Sequence, residues 1–237
     1  MSEPALCPRA RLVIALVLAF GIAALKGLAV LALVVLLAAG VALASGQTRL
    51  VLRRLRGVAL LALGFMLVLP LIVGESVLAQ VGPLAVRQEG VKAGLLIAVR
   101  LLSIVTLTLA LLAPLSPFQL VGALRGLGVP ALMADLAFLT LRYLDEVSAE
   151  LRRAQLARRL RGGRGAGWRS LPEHAGTLAT GLIRAQARSE RVWAAMRLRG
   201  YNTGLAMPVA PLRILDWVGI GAALVAALGI IWLDRVL

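Results

Sequence analysis

Five apolar stretches, each with no more than two charged residues, restrict the folds open to this chain more than any other feature. They cover residues 12–25, 27–44, 57–74, 91–113 and 214–233. A membrane-spanning helix needs about 20 mainly apolar residues, so the first stretch is short for a span. The chain is 60% hydrophobic, whereas soluble domains are about 45–50% apolar. We therefore predict an all-α, polytopic membrane protein with about five transmembrane helices.

The charges between these stretches predict the orientation of the chain. A predicted loop at 45–56 has four Arg and no acidic residue, and residues 114–213 have fifteen Arg against six acidic residues. The connection at 75–90 has one Arg and two Glu. Because basic residues mark the cytoplasmic side, we expect a multi-pass protein of the cell (inner) membrane, with its N-terminus and both basic regions in the cytoplasm. The predicted domains are a membrane domain at 1–113, a cytoplasmic helical domain at 114–212 and a last transmembrane helix at 213–237.

Two basic helices are predicted within the cytoplasmic domain, and both end in Arg-Leu-Arg-Gly, at 159–162 and 197–200. Late Arg residues and a final Gly are typical of a helix C-terminus. The first helix is expected from Ala131 to Arg161, and the second from about Glu173 or His174 to Arg199, with a Gly-rich hinge at 162–167. Such arginines either only complement the helix dipole or enter an acidic groove on a partner protein. A third copy of the tetrapeptide, at 54–57, lies beside a span and is a topology signal.

The second basic helix has a modest apolar stripe that predicts packing against another helix. Its members recur at steps of three and four residues: Leu178, Leu182, Ala185, Ser189, Val192 and Met196. Four arginines are expected largely on another face: Arg184, Arg188, Arg191 and Arg199. Trp193 and Met196, near the tip, either enter a groove on the partner or pack on the first basic helix.

Small residues and one charge are notable inside the spans. Ala19, Ala23 and Gly27 in the first spans, and Gly219, Ala223 and Ala227 in the last, have the spacing that allows close helix packing in lipid. Arg100 lies inside the fourth span. An intramembrane charge is a functional candidate, but we favour a structural Arg that pairs with a carboxylate or a carbonyl between helices.

The sequence contains few residues that could serve in catalysis or metal binding. With one Cys (Cys7) and one His (His174, predicted in a polar loop), a single chain cannot assemble a Cys/His metal site. No phosphate-binding loop ending in Gly-Lys-Ser/Thr and no catalytic constellation is present in the sequence. We expect a non-enzyme with no cofactor of its own. The arginines have little aromatic interleaving and no nucleic-acid module, so nucleic acid is not an expected partner.

Four segments carry a family resemblance: 115–118 (Leu-Ser-Pro-Phe), 124–130 (Leu-Arg-Gly-Leu-Gly-Val-Pro), 152–159 and 189–201. The chain resembles the transmembrane T component of energy-coupling factor (ECF) transporters, the CbiQ/EcfT family, in its cobalt-type branch. The resemblance implies a scaffold that joins two ABC-type ATPase subunits, which bind ATP, to a separate membrane substrate-binding (S) component. It also implies two long coupling helices whose Ala-Arg-Gly tips enter grooves of the ATPases.

The tips map onto this chain with two departures from the family pattern. The first maps to Ala157, Arg158 and Arg159, and the second to Leu198, Arg199 and Gly200. Alignment of the two tetrapeptides would instead place Arg161 opposite Arg199, so Arg161 is the alternate residue, with Trp193 and Met196 in support. Cobalt or nickel is the expected substrate. The alternatives are biotin or another vitamin as the substrate, or the permease of a conventional ABC importer, which has one coupling helix. A further alternative is a membrane-anchored basic protein whose arms bind anionic lipid or nucleic acid.

Overall fold

The computed structural model describes residues 6–25, 27, 30–44, 48–73, 77–81, 84–162, 171–202, 204 and 211–236. These form eight helices and one short hairpin: α1 (Pro8–Ala23), α2 (Leu31–Ala44), α3 (Thr48–Ile72), β1 (Val77–Val81), β2 (Leu84–Arg87), α4 (Gln88–Leu112), α5 (Pro117–Gly126), α6 (Ala131–Leu160), α7 (Leu171–Leu198) and α8 (Ile214–Val236). The all-α, polytopic membrane fold is confirmed. The chain divides into two compact units, Met1–Ser116 with Ala210–Leu237, and Pro117–Val209.

Three helices of the first unit are long and apolar enough to cross a membrane. They are Val51–Ile72 of α3, Gln88–Leu112 of α4 and Ile214–Val236 of α8. The apolar helices α1 and α2 have 16 and 14 residues, fewer than the roughly 20 that a simple span requires. The predicted total of five spans therefore depends on these two helices and stays a prediction.

Small residues bring α1 and α8 together. A Cβ atom added to Gly21 would lie 2.9 Å from the Cβ of Ala227, so the two backbones are in close contact. Ala223 and Ala227 are buried, and Gly219 lies against Ile14, so the small-residue face expected on α8 is a packing face. The small-residue face predicted in the first spans is correct at Gly27, where an added Cβ atom would lie 2.7 Å from Oδ1 of Asp234, and is wrong for its residues on α1. Gly21 makes the contact and Ala23 is exposed, since the inward face of α1 is offset by about half a turn.

The basic segment before the third span is helical where a loop was predicted. Helix α3 begins at Thr48, so Arg53, Arg54 and Arg56 lie in its first turns with exposed side chains, while residues 45–47 lie outside the described part. No helix breaker follows Thr48 before Gly57, and Leu and Arg are strong helix formers. Long Arg side chains can also extend toward water from a helix that enters lipid. The helix therefore extends beyond the apolar stretch.

The predicted outer connection at 75–90 contains an antiparallel hairpin of β1 and β2, and its last residues belong to α4. Helix α4 then packs closely on α3. A Cβ atom at Gly90 would lie 2.5 Å from the carbonyl oxygen of Leu69 and 2.6 Å from the Cα of Pro70. One turn later, Gly94 faces Met66 in the same way. These glycines fix the distance between two of the membrane-spanning helices.

Polar side chains close the ends of the first unit. Asp216, 1% exposed, accepts the backbone N–H groups of Cys7 at 2.8 Å and Arg213 at 2.7 Å. Asp234 accepts the N–H of Gly27 at 2.8 Å. Both carboxylates therefore tie α8 to the chain at the two ends of α1. At the first of these ends, backbone N–H groups lack helical partners.

Candidate functional site: the paired arms

Helices α6 and α7, called the arms below, run antiparallel. The end of α6 contacts the start of α7 where Arg158 meets His174, and the start of α6 meets the residue that follows α7, where Tyr201 bonds Asp135. In between, a Cβ atom on Gly181 would lie 3.0 Å from Leu151. The C-terminal ends of the arms therefore lie at opposite ends of the pair.

The arms meet closely at their centre and leave a cleft on each side of it. A basic cleft of about 830 Å³ lies toward the end of α6 and is lined by residues that include Arg153, Arg158, Arg161 and Arg184. An apolar cleft of about 410 Å³ lies toward the end of α7 and is lined by residues that include Leu136, Tyr143, Val192 and Met196. A cleft therefore opens on each side of the Leu151–Gly181 contact, which we call the crossing.

Both arms end in the same backbone geometry. Gly162 and Gly200 have φ angles of 81° and 75°, a left-handed conformation that glycine adopts without strain and that commonly ends helices. The N–H of Arg161 is 3.1 Å and 3.2 Å from the carbonyl oxygens three and four residues earlier, and the N–H of Arg199 is 3.1 Å from both of its equivalents. Arg161 and Arg199 therefore occupy equivalent positions.

The residues before these glycines are exposed. Leu160 is 80% exposed and Leu198 is 90% exposed, and the side chains of Arg161 and Arg199 are exposed beside them. A guanidinium at such a position lies at the end of the helix and is accessible to solvent. Each arm therefore ends in an accessible Leu-Arg-Gly tip, residues 160–162 and 198–200.

Arg158 has different surroundings from Arg199. Its side chain is half-buried against α7, and its guanidinium donates to Nε2 of His174 at 3.2 Å. Ala157 lines the same basic cleft, while Arg159 is exposed. His174 lies in the first turn of α7, so its predicted place in a loop is wrong: helix α7 begins at Leu171, three residues before it.

Arg188 joins the two arms near their crossing. Its guanidinium donates a hydrogen bond to the carboxylate of Glu150, and it lies 3.0 Å from Glu146. Arg188 was expected to face away from the packed side of α7, and that expectation is wrong. The two carboxylates of α6 compensate its charge, which allows an Arg on the inner face.

The apolar stripe predicted on α7 is correct only in its second half. Ala185, Ser189, Val192 and Met196 line the apolar cleft, as a packing face should. Leu178 and Leu182, by contrast, are exposed, because Gly181 makes the contact at the crossing. Trp193 and Met196 lie in this cleft, and the Trp193 ring packs edge-on to the ring of Tyr201 at 6.1 Å.

A buried carboxylate joins the end of α7 to the α5–α6 junction. Asp135, 1% exposed, accepts the hydroxyl of Tyr201 at 2.8 Å and pairs with Arg125 at 3.4 Å. The hydrogen bond to Asp135, followed by burial, raises the pKa of Tyr201 above its ordinary value. Gly204, with a φ of 103°, packs against Oδ2 of Asp135. We call Arg125, Asp135 and Tyr201 the anchor.

A family comparison agrees with this architecture. The family model described as CbiQ, cobalt transport protein, matches residues 7–208, which include both arms and most of the membrane unit. The chain belongs to the CbiQ family of cobalt transport proteins. No curated protein matches it. Membership makes the chain a membrane component of an ECF-type transporter, a kind of subunit that is generally non-catalytic and works with other subunits.

Membership of a cobalt transport family raises the question of whether this chain could bind a metal ion itself. Among the described residues, no group of three or more His, Cys, Asp or Glu side chains could hold a metal ion. Arg100, the charge within α4, donates to the carbonyl oxygen of Leu25, which is the contact that a structural role requires. In the described part of this CbiQ-family chain, the distinctive features are the two arms and the contacts between helices.

Sequence reasoning named the arm tips but missed the polar contacts that hold the arms together. The Arg188–Glu150 pair was not predicted because Arg188 was placed on the outer face of the helix. The anchor escaped because its members are far apart in sequence, Asp135 and Tyr201 by 66 residues. One signal was available: Asp135 is the only charge in the apolar stretch 131–141. A lone carboxylate on an apolar helix start is costly to bury without a partner.

Proposed function

We propose that this chain is the scaffold and energy-coupling subunit of an ECF-type importer. Two ABC-type ATPase subunits bind the tips of the arms, and a separate S component binds the substrate. Unit 117–209, which contains the arms, is cytoplasmic in this proposal, in line with its excess of Arg. The observation that carries the proposal is the pair of equivalent, exposed Leu-Arg-Gly tips at opposite ends of the antiparallel arms. Two docking points fit a pair of ATPases, whereas a conventional permease offers one coupling helix.

Backbone geometry supports Arg161 as the residue of the first tip. Arg161 and Arg199 share the same place relative to a left-handed glycine, whereas Arg158 lies one turn earlier and bonds His174 on the other arm. An exposed guanidinium is available to a carboxylate in an ATPase groove. A charge-assisted hydrogen bond of this kind contributes roughly 1.5–3 kcal/mol.

The transmission mechanism follows from how the arms are fastened together. Polar contacts hold them at both ends and beside the crossing, through the pairs Arg158–His174, Arg188–Glu150 and Tyr201–Asp135. Movement of the ATPase pair, driven by ATP, displaces the tips. Because the arms are linked at several points, a change in the separation of the two tips is transmitted through both arms to the membrane helices and the S component.

Charge reversal tests this function. Arg161→Glu with Arg199→Glu should abolish co-purification with the co-expressed ATPase subunits and abolish uptake. Arg191→Glu, an exposed Arg of α7 away from the tip, is the matched control and should retain both. Arg158→Glu tests the alternative register and should have the smaller effect on co-purification. Normal co-purification of the double variant would refute the proposed docking.

Cobalt, with nickel as the related possibility, is the proposed substrate, and the cobalt transport family supports it. Because the described residues offer no metal cluster, the S component would select the ion. Cells that contain the complete transporter should accumulate radioactive cobalt in an ATP-dependent manner. Accumulation of biotin or another vitamin, with no cobalt uptake, would overturn this assignment and leave the docking proposal intact.

A further inference from the structure

We infer that the anchor holds the second tip, residues 198–200, in its docking orientation, and that Tyr201 is a positioning residue for ATPase binding at that tip alone. The inference rests on the proposed function. In this role Tyr201 acts without contacting the ATPase through its hydroxyl, which points to Asp135 inside the unit.

The carboxylate at the centre of the anchor is buried. Asp135 is 1% exposed and receives the Tyr201 hydroxyl at 2.8 Å, while Arg125 lies 3.4 Å from its other oxygen. Gly204 packs closely against this ion pair: a Cβ atom at Gly204 would lie 3.1 Å from Asp135 and 3.3 Å from Arg125. A buried carboxylate is retained only when polar partners satisfy it, so each partner is held in place.

Tyr201 is directly connected to the tip. Only Gly200 separates it from Arg199, and two peptide units span at most about 7 Å. The N–H of Tyr201 bonds the carbonyl oxygen of Met196 at 3.0 Å, and its ring packs on Trp193. The backbone of Arg199 is therefore fixed by the helix on one side and by Tyr201 on the other. Release of the hydroxyl removes the second restraint.

The first tip has no equivalent of this restraint in sequence. The shift of 38 residues that aligns the two tetrapeptides pairs Tyr201 with Gly163. Glycine has no side chain with which to reach a buried carboxylate. The inference therefore predicts different behaviour of two tips that end in the same four residues.

Loss of the restraint should weaken ATPase binding because it lowers the fraction of molecules whose second tip is in the docking orientation. If the second tip spends only part of its time in the docking orientation, the apparent affinity falls by that fraction. A hydrogen bond to a charged acceptor is strong enough for about a tenfold effect. Tyr201→Phe, which removes only the hydroxyl, should therefore weaken binding of the ATPase subunits to the complete membrane complex about tenfold.

The decisive experiment combines Tyr201→Phe with the loss of the second tip. In the native chain, Tyr201→Phe should raise the dissociation constant about tenfold. In an Arg199→Glu chain, which has already lost the second tip, it should add nothing. Tyr143→Phe, the other tyrosine of the chain, is the matched control and should have no effect in either background. Equal weakening in both backgrounds would indicate a general structural role and overturn the inference.

A second readout needs no ATPase. In a Cys7→Ser background, a spin label at Leu198 should become more mobile on Tyr201→Phe, whereas a label at Leu160 should be unchanged. Unchanged mobility at Leu198 would overturn the inference even if docking is normal. If Arg199→Glu and Arg161→Glu leave ATPase binding intact while the label at Leu198 responds as expected, the proposed docking fails and the restraint on the tip stands.

Discussion

Arg188 links the two arms, and its removal gives a quantitative test of their pairing. Its guanidinium is 17% exposed and donates to Glu150, which is 29% exposed. A partly buried charge-assisted hydrogen bond contributes roughly 1.5–3 kcal/mol. Glu146 is 55% exposed, so its ion pair with Arg188 is screened and adds only about 0.2–1 kcal/mol. Because the carboxylates regain water when the arms loosen, we expect Arg188→Met to weaken the pairing by about 2 kcal/mol.

Hydrogen exchange measures this loss directly. A shift of about 2 kcal/mol raises an opening equilibrium about 30-fold. In the regime where exchange follows that equilibrium, amides in the middle of α7 should exchange about 30-fold faster in Arg188→Met. Arg191→Met, one turn further along and exposed, is the control and should exchange like the native chain. Equal exchange in the two variants would refute the argument that Arg188 holds the arms together.

Three further predictions concern contacts in both units. Gly90→Val should abolish the folded protein, measured as detergent-soluble yield, because backbone atoms lie within 2.7 Å of its Cβ position; Gly64→Ala, with nothing within 4 Å, should not. Tyr201, titrated spectroscopically in Tyr143→Phe, should ionise at higher pH than free tyrosine; since its folded pKa exceeds the unfolded one, its contribution to stability is complete below about pH 10 and is lost as pH rises through the folded pKa. An ordinary titration would contradict the anchor. Asp216→Ala should lower the thermal stability by about 1–3 kcal/mol, because two backbone donors lose a buried acceptor; an unchanged melting temperature would argue against that role.

Local signals predicted the arms well. The glycines at 162 and 200 end α6 and α7 where the sequence indicated. Each of these boundaries depends on the backbone preference of one residue, which is present in the sequence itself. The start of α3 was misplaced for the opposite reason, since a run of arginines changes the solvent preference of a helix without breaking it.

Contacts between distant residues were beyond the sequence signals. The inner position of Arg188 depends on Glu146 and Glu150 about 40 residues earlier, and periodicity alone puts an Arg outside. On α1 the spacing of Ala19 and Ala23 was a valid packing pattern, yet Gly21 makes the contact. Spacing shows which residues share a face, but the neighbouring helix decides which face is buried.

The most direct test of the coupling role is the distance between the two arm tips during ATP turnover. With Cys7 replaced by Ser, the chain has no other Cys, so spin labels can be placed at Leu160 and Leu198, the exposed residues before the two Arg-Gly ends. In the complete transporter, the distance distribution between the labels should shift when ATP is added and return when it is hydrolysed. A distribution that is unchanged by ATP, in a labelled transporter that still imports its substrate, would contradict the proposal that the arms transmit ATPase motion.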